Sequence, residues 1–325
     1  MDRLGDLICT LPVDQHPLFL DKSNSVYWLI SNGLEPVLEC TKPKRFYWPT
    51  GTSFSWLKFI NLIKMLKVEN FDKVVLFYSP WWVALACFFA SIPERYSPRS
   101  RWFQLLFFNH TLRQNRSQSE KHEADYNWEL LHWSLTGERK YQLPTPFLYL
   151  KSEIILPIQL PNSFIVIHPG MGGSALNWPA KSYLELAQKL SAIGKEFIIT
   201  GTANDFEWLK ELETPLKLLE KCHWLVGKLD LKSLIYVLSR SEATIAPSTG
   251  VLHLAAATGA KTIGIYSPIR VQSPKRWAPR GTQTLTLVPS VKCPATKKCL
   301  EASCKEYPCL DTITADYIIK EVLKL

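Results

Sequence analysis

The chain has 325 residues, of which 46% are hydrophobic and 21% charged, a composition that excludes a disordered polymer and suits two compact domains of ~150 residues each. Its formal net charge of +9 points to an anionic partner: nucleic acid, an acidic membrane face or a phosphorylated substrate. No apolar run approaches the ~20 residues that a membrane-spanning helix needs.

The opening stretch "MDRLGDLICTLP" reads as a turn running into a helix. A doubly wound domain needs a strand to feed such a turn, and none precedes this one. The expectation is a first domain without its first strand, or one whose start lies upstream. A small basic and aromatic patch follows at Lys42–Trp48, and "KVVLFY" (Lys73–Tyr78) reads as a strand. The run "WWVALACFFASI" (Trp81–Ile92) is too short to cross a bilayer. It is expected to be a buried helix. The other reading, a surface helix touching lipid, is weakened by the absence of a polar face.

Arg95 to Lys121 forms a dense cationic and aromatic stretch, with His122 and Glu123 just beyond it as a surface pair or as acceptor contacts. The proline-rich segment Tyr141–Ser163 lacks helical period and reads as the end of the first domain plus a linker. Beyond it, strands at Phe164–Pro169, Glu196–Gly201, Glu242–Pro247 and Lys261–Tyr266 alternate with helices, the pattern of a parallel sheet covered on both faces. After "NWPA", the residues Tyr183, Leu184, Ala187 and Leu190 share one helical face. Pro179 stands at the start of that helix and Gly194 past its end. Ile313–Leu325 reads as a last helix with Thr314 as N-cap and Asp316 in its first turn.

Of eight cysteines, Cys9, Cys40, Cys87 and Cys222 are scattered small hydrophobes. Cys293, Cys299, Cys304 and Cys309 crowd the tail without the C-x2-C knuckles of a structural zinc site. With no secretory leader in front, a reduced cytosolic setting is expected, and the tail cysteines read as packing or as a local clip formed on oxidation.

Two strand-to-helix turns carry the chemistry. In "STGVLHLAAA" the turn Ser248, Thr249, Gly250 follows a strand, so its amides sit at the strand's carboxyl end, where ligands bind in open α/β sheets. The first amides of a helix lack internal partners and carry the positive end of its dipole. Hydroxyls and a glycine there suit a phosphate, and His253 lies one turn on. Taken alone, this motif favours an ordinary capped helix with one hydrogen-bonded histidine. "HPGMGGSALNWP" supplies a second such turn with Gly170, Gly172, Gly173 and Ser174. It is neither a P-loop nor a G-x-G-x-x-G fingerprint. Two turns facing one crevice suggest a nucleotide diphosphate held by helix ends and not by metal.

These stretches resemble glycosyltransferase family 9, the ADP-heptose:lipopolysaccharide heptosyltransferases. "RLGDLICTLP" resembles the R-x-G-D-x-x-x-T-x-P signature of the family, "HPGMGGSALNWP" its H-P-G…W-P segment, "STGVLHLAAATGAKTIGIYSP" its [DS]-[ST]-G-x-x-H-x-A-A-A-x-G…P segment, and "RWAP" (Arg276–Pro279) its R-W-x-P. The resemblance implies a GT-B architecture, with two Rossmann-like doubly wound α/β domains and a cleft between them. The expected division is an acceptor-binding domain at 1–155, a nucleotide-sugar-binding domain at 156–310, and a terminal helix at 311–325 packing back on the first domain.

It implies an inverting, metal-independent glycosyltransferase without a cofactor, transferring a heptose or related sugar from a nucleotide diphosphate such as ADP-heptose to a lipopolysaccharide-type glycolipid. The implied setting is the cytoplasmic face of the inner membrane, with the chain a monomer peripheral to that membrane. Asp6 becomes the general base, where spacing alone would favour a helix cap. Ser248, Thr249, Gly250 and His253, with the turn Gly170, Gly172, Gly173 and Ser174, become the donor site, and Asn204 with Asp205 the region of the ribose or base. Arg3, Arg95, Arg99, Arg101 and Lys121, with Arg113 and Arg116, are the candidate acceptor surface, each against the plainer reading of solvated charge.

Two departures stand out. Ser248 replaces the aspartate of many members, and Leu176 stands where many place a lysine. The rival readings are another GT-B enzyme, such as a nucleotide-sugar epimerase, and a non-catalytic nucleotide-sugar-binding protein. Nucleic acid is excluded as a partner by the lack of any RNP, helix-turn-helix or zinc-finger pattern.

Overall fold

The computed structural model describes residues 3–19, 25–41, 44–139, 159–173 and 175–324. The chain divides into two compact units. The first comprises Met1–Glu39, Pro43–Arg116 and Lys121–Pro146, and the second Cys40–Lys42, Ser117–Glu120 and Phe147–Leu325. Most of the proline-rich linker, and with it the expected boundary near residue 155, lies outside the described residues.

The first unit runs α1 (Leu4–Thr10), β1 (Tyr27–Ser31), α2 (Glu35–Glu39), β2 (Phe46–Thr50), α3 (Trp56–Glu69), β3 (Lys73–Val75), α4 (Trp81–Phe89), β4 (Glu94–Pro98), α5 (Trp102–Phe107), β5 (His110–Leu112) and α6 (Glu123–Thr136). Among the described residues its strands are all parallel and fall into two sheets, β1-β2 and β3-β4-β5.

α4 departs from the expected buried helix. Trp82, Val83, Ala84, Ala86 and Cys87 are buried, but Trp81, Phe88 and Phe89 are exposed. An all-apolar run has no polar stripe to reveal which side is covered. His122 and Glu123 are not a surface pair. Both are buried: His122 caps α6 by accepting from the Ala124 amide at 3.2 Å, and Glu123 is ion-paired to Arg116.

The second unit runs β6 (Ile165–Ile167), α7 (Ala180–Ala192), β7 (Phe197–Ile199), α8 (Phe206–Lys217), β8 (Cys222–Trp224), α9 (Leu231–Arg240), β9 (Ala243–Pro247), α10 (Gly250–Ala257), β10 (Lys261–Ile265), α11 (Pro274–Trp277), β11 (Thr284–Leu287) and α12 (Ala315–Leu323). Six parallel strands form one sheet in the order β11-β10-β9-β6-β7-β8. Numbered within the unit this is 6-5-4-1-2-3, the Rossmann order, so the winding reverses between β6 and β9. β6, β7 and β9 are buried throughout, as their continuous apolar sequences require. Gly264 lets α10 close on β10: a Cβ there would stand 2.6 Å from Leu252 Cδ2 and 2.6 Å from Tyr266 Cε2.

The last helix corrects one expectation. α12 begins at the Thr314 N-cap, but its buried residues Ala315, Ile318 and Val322 belong to the second unit's core, against α7. Lys189 on α7 bridges to Asp316 at 2.7 Å. Residues 311–325 therefore complete the second unit as far as they are described.

Candidate functional site

β6 and β9 are neighbours in register, with Ile167 opposite Ile245, and the His168 amide extends their ladder to the Ile245 carbonyl at 2.9 Å. The turns that leave their carboxyl ends, 168–173 and 248–250, therefore start side by side at the reversal point of the sheet, where open α/β sheets form their ligand crevice.

α10 starts at Gly250. Thr249 takes the N-cap in extended conformation (φ −137°, ψ 162°), yet its side chain makes no cap hydrogen bond, so the first-turn amides are not closed off by it. Ser248, Thr249 and Gly250 are half-buried, whereas Val251 through Ala257 are buried. His253 is also buried, with its ring centroid 6.5 Å from that of Trp277. Trp277 is fixed from both ends: its Nε1–H donates to the Val271 carbonyl at 2.9 Å, and its own carbonyl accepts from the Tyr266 hydroxyl at 2.6 Å. The Arg276 guanidinium lies 4.8 Å from the Trp277 ring.

In the first turn, Gly172 (φ +55°) and Gly173 (φ +68°) sit in the left-handed region with open space where a side chain would go. Only glycine adopts this without strain, and such bends present consecutive amides as an anion-binding concavity. Ser174 lies outside the described residues. The loop is pinned at its far end by Asn177, whose Nδ2 donates to the Pro169 carbonyl at 2.8 Å. Its Oδ1 accepts from the Trp178 amide at 2.8 Å and the Tyr183 hydroxyl at 3.1 Å. Trp178 is fully buried and donates from Nε1 to the Ile313 carbonyl at 2.9 Å. The Asn-Trp-Pro segment thus anchors the loop. Leu176 packs against the core and donates its amide to Gln272 Oε1 at 3.1 Å, so this position supplies no side-chain cation.

Sequence reasoning passed over the weight of Asp205. Its Oδ2 accepts from the Thr202 amide at 2.9 Å and the Thr202 hydroxyl at 2.7 Å, and a Cβ on Gly170 would meet its Cγ at 2.5 Å. Gly170 is needed because this carboxylate rests on it. An acid after the second strand of a Rossmann-like unit, against the glycine turn, suits a ribose hydroxyl. Its neighbour Asn204 is exposed. His168 is buried with Nδ1 3.0 Å from Thr200 Oγ1. Burial pushes its pKa down from 6.5 to about 4, partly opposed by the nearby Asp205 charge.

In the first unit Asp6 is half-buried at the third position of α1, and Arg3, exposed, occupies the N-cap. The Thr10 hydroxyl donates to the Asp6 carbonyl at 2.7 Å and accepts from Asn127 Nδ2 at 2.9 Å, tying α1 to α6. Asp14, just past the signature, forms a buried two-point pair with Arg45, Nη2 to Oδ1 at 3.1 Å.

The cationic stretch divides by environment. Arg95 is used within its own unit, donating to the Ile92 carbonyl and, at 2.7 Å, to that of Phe107. Arg116 pairs with Glu123, and Lys121 with Glu129 at 3.1 Å. Arg99, Arg101 and Arg113 are exposed, and Arg101 lies 4.6 Å from the Tyr78 ring. The four tail cysteines are free thiols around one narrow cavity. Among the described residues no group of three or more His, Cys, Asp or Glu side chains is placed to hold a metal ion.

The model of glycosyltransferase family 9 (heptosyltransferase) matches residues 59–307. The chain belongs to that family. A Haemophilus influenzae protein named only as a glycosyltransferase is 30% identical over 237 residues, 68% of this chain and 67% of that one. A lipopolysaccharide core heptosyltransferase of the same organism is 22% identical over 301 residues, covering 86% and 80%.

Among solved structures, that of the Escherichia coli ADP-heptose LPS heptosyltransferase II is similar with a TM-score of 0.77 at 17% identity, covering 100% of this chain and 96% of that one. A family 9 glycosyltransferase from Veillonella parvula gives 0.76 at 18%, with the same coverage. The fold is therefore GT-B, and the chain is a glycosyltransferase enzyme of the heptosyltransferase family. Within family 9, the matched span takes in α10, the 168–179 loop and Trp277, while Asp6 lies before it.

Proposed function

We propose that this family 9 glycosyltransferase moves a heptose, or a closely related sugar, from a nucleotide diphosphate donor, ADP-heptose, to a lipopolysaccharide-core glycolipid, with inversion at the anomeric carbon. The carrying observation is the pair of turns that leave β6 and β9 side by side where the sheet reverses, one with two left-handed glycines and the other opening α10. Backbone amides at Gly172, Gly173 and Gly250, the hydroxyls of Ser248 and Thr249, and His253 receive the diphosphate. Asn204 and Asp205 take the ribose. Donor chemistry and acceptor class follow the names of the relatives, among them a lipopolysaccharide heptosyltransferase 2 of Salmonella typhimurium.

In the reaction the acceptor hydroxyl oxygen attacks the anomeric carbon as the bond from that carbon to the diphosphate oxygen breaks. The electron pair leaves with ADP, and the hydroxyl proton passes to the Asp6 carboxylate. Fixed amide dipoles meet the charge that develops on the leaving group, so no metal or other cofactor takes part. Arg3, Arg95, Arg99, Arg101 and Lys121 are the cations that meet the anionic acceptor. The enzyme acts as a monomer at the cytoplasmic face of the inner membrane.

The test is transfer from ADP-heptose to core acceptors, with EDTA present. General-base catalysis is worth about 10²–10⁴ in rate, so Asp6→Asn loses that factor while binding ADP as the parent does. Full turnover in that variant removes Asp6 from the role. ADP binding without transfer to any core acceptor would instead identify a non-catalytic nucleotide-sugar-binding protein.

A further inference from the structure

Three helices of the first unit turn large apolar side chains to the outside. Trp56 and Leu57 on α3 and Trp102 on α5 are each 68% exposed, and Leu106 is 63% exposed. Trp81, Phe88 and Phe89 on α4 join them. Isolated exposed apolar residues are ordinary, but a contiguous group marks an interaction site. The aromatic members of this group are contiguous. The Phe54 ring stacks on Trp81 at 5.3 Å and meets Trp56 at 5.2 Å, while Phe59 bridges Trp56 at 6.1 Å and Phe89 at 6.2 Å. A groove of about 340 Å³ walled by Tyr78, Trp81, Arg101 and Trp102 continues the face from α4 to α5.

The charge around the face is mainly positive. Residues 44–119 hold eleven Lys and Arg and three carboxylates, Glu69, Asp72 and Glu94, with Arg45 and Arg116 neutralised by Asp14 and Glu123 from outside that stretch. Glu94 is itself paired with Lys73 at 3.1 Å. Lys58, Lys64 and Lys67 are exposed on α3 beside its outward apolar residues, and Arg99 and Arg101 are exposed at the entry to α5. Tryptophan and aliphatic side chains ringed by Lys and Arg match the border between bilayer hydrocarbon and anionic headgroups. Among the described residues no helix is long and apolar enough to cross a membrane, so such a face rests on the bilayer. A second copy of the chain would set one cationic rim against another, a repulsion that an anionic bilayer converts into attraction.

We propose that the outward face of α3, α4 and α5 is a membrane-docking surface. It places Trp56, Leu57, Trp102 and Leu106 in the interface and Lys58, Lys64, Arg99 and Arg101 on anionic headgroups. It deepens the reading of the acceptor as a membrane-borne glycolipid, and it is tested without that acceptor.

The experiment is co-sedimentation of the full chain with vesicles of phosphatidylethanolamine and phosphatidylglycerol, and with vesicles of phosphatidylcholine alone. Binding is expected to the anionic vesicles and to weaken with salt. The variant Trp56→Ser/Trp102→Ser/Leu106→Ser is expected to bind about a hundredfold more weakly. Lys64→Glu/Arg99→Glu is expected to lose the preference for anionic lipid. Calorimetric ADP binding by each variant reports that the fold is retained, and Asp6→Asn is expected to bind vesicles like the parent. Vesicle binding therefore stands or falls independently of sugar transfer. The proposal is overturned if the parent does not sediment with anionic vesicles, or if the triple variant sediments equally well. It is also overturned if sedimentation velocity shows a dimer that these substitutions dissociate, because a second copy then covers the face.

Discussion

Gly170→Ala isolates one contact. No left-handed backbone is required at this glycine, so alanine strains nothing by itself, but its Cβ would stand 2.5–2.7 Å from the three carboxylate atoms of Asp205. That carboxylate is held by the Thr202 amide and hydroxyl at 2.9 and 2.7 Å, so it cannot step aside without breaking both hydrogen bonds. Hydrogen bonds to a charged group are worth about 1.5–3 kcal/mol each. Because the two share one acceptor and relax together, the loss is taken as about 2–4 kcal/mol in all. Urea denaturation of Gly170→Ala, Asp205→Ala and the double variant forms a cycle. The glycine change is expected to cost about 2–4 kcal/mol with Asp205 present and under about 0.5 kcal/mol without it. ADP affinity, measured by calorimetry, should fall with the carboxylate displaced. Strict additivity of the two substitutions would refute the argument that Gly170 exists to seat Asp205.

Two more predictions concern fixed groups. The pKa of His168 is about 4 in the fold against 6.5 unfolded, so the fold favours the neutral ring. Its contribution to stability is complete above pH 6.5 and is lost as pH falls toward 4, up to about 3 kcal/mol, because the unfolded chain then binds the additional proton. Melting temperature should drop across that window, and the drop should shrink in His168→Asn. Thr10→Val keeps the shape but removes the hydroxyl between Asp6 and Asn127. It should cost about 1–3 kcal/mol in stability and lower kcat without changing ADP affinity, with Thr10→Ser restoring both.

Much of the second unit was legible because parallel, fully covered strands are continuous apolar runs. "FIVIHP", "EFIITG", "EATIAP" and "KTIGIY" all contain strands, and Tyr183, Ala187 and Leu190 face inward as the helical period requires. β8, "CHW", and β11, "TLTL", escaped notice. Short edge strands, half open to water, carry no such run. In the first unit β4, "ERYSP", and β5, "HTL", are too short and polar to show a period of two. The outward side of α4 was hidden for the opposite reason: in "WWVALACFF" every residue is apolar, so periodicity has nothing to contrast. The two strand-to-helix turns could be read because glycine and hydroxyl residues between a strand and a helix have a local meaning. The seat of Asp205 on Gly170 and the Thr10–Asn127 link could not, since each joins residues far apart in the chain. The same holds for α12, whose amphipathic sequence announces a helix but not the partner that covers it.

The most direct test is a crystal structure of the chain with ADP. The diphosphate is predicted to lie about 2.7–3.2 Å from the amides that open α10 at Gly250 and from the Gly172–Gly173 bend. ADP bound elsewhere, with both turns left to solvent, would contradict the account.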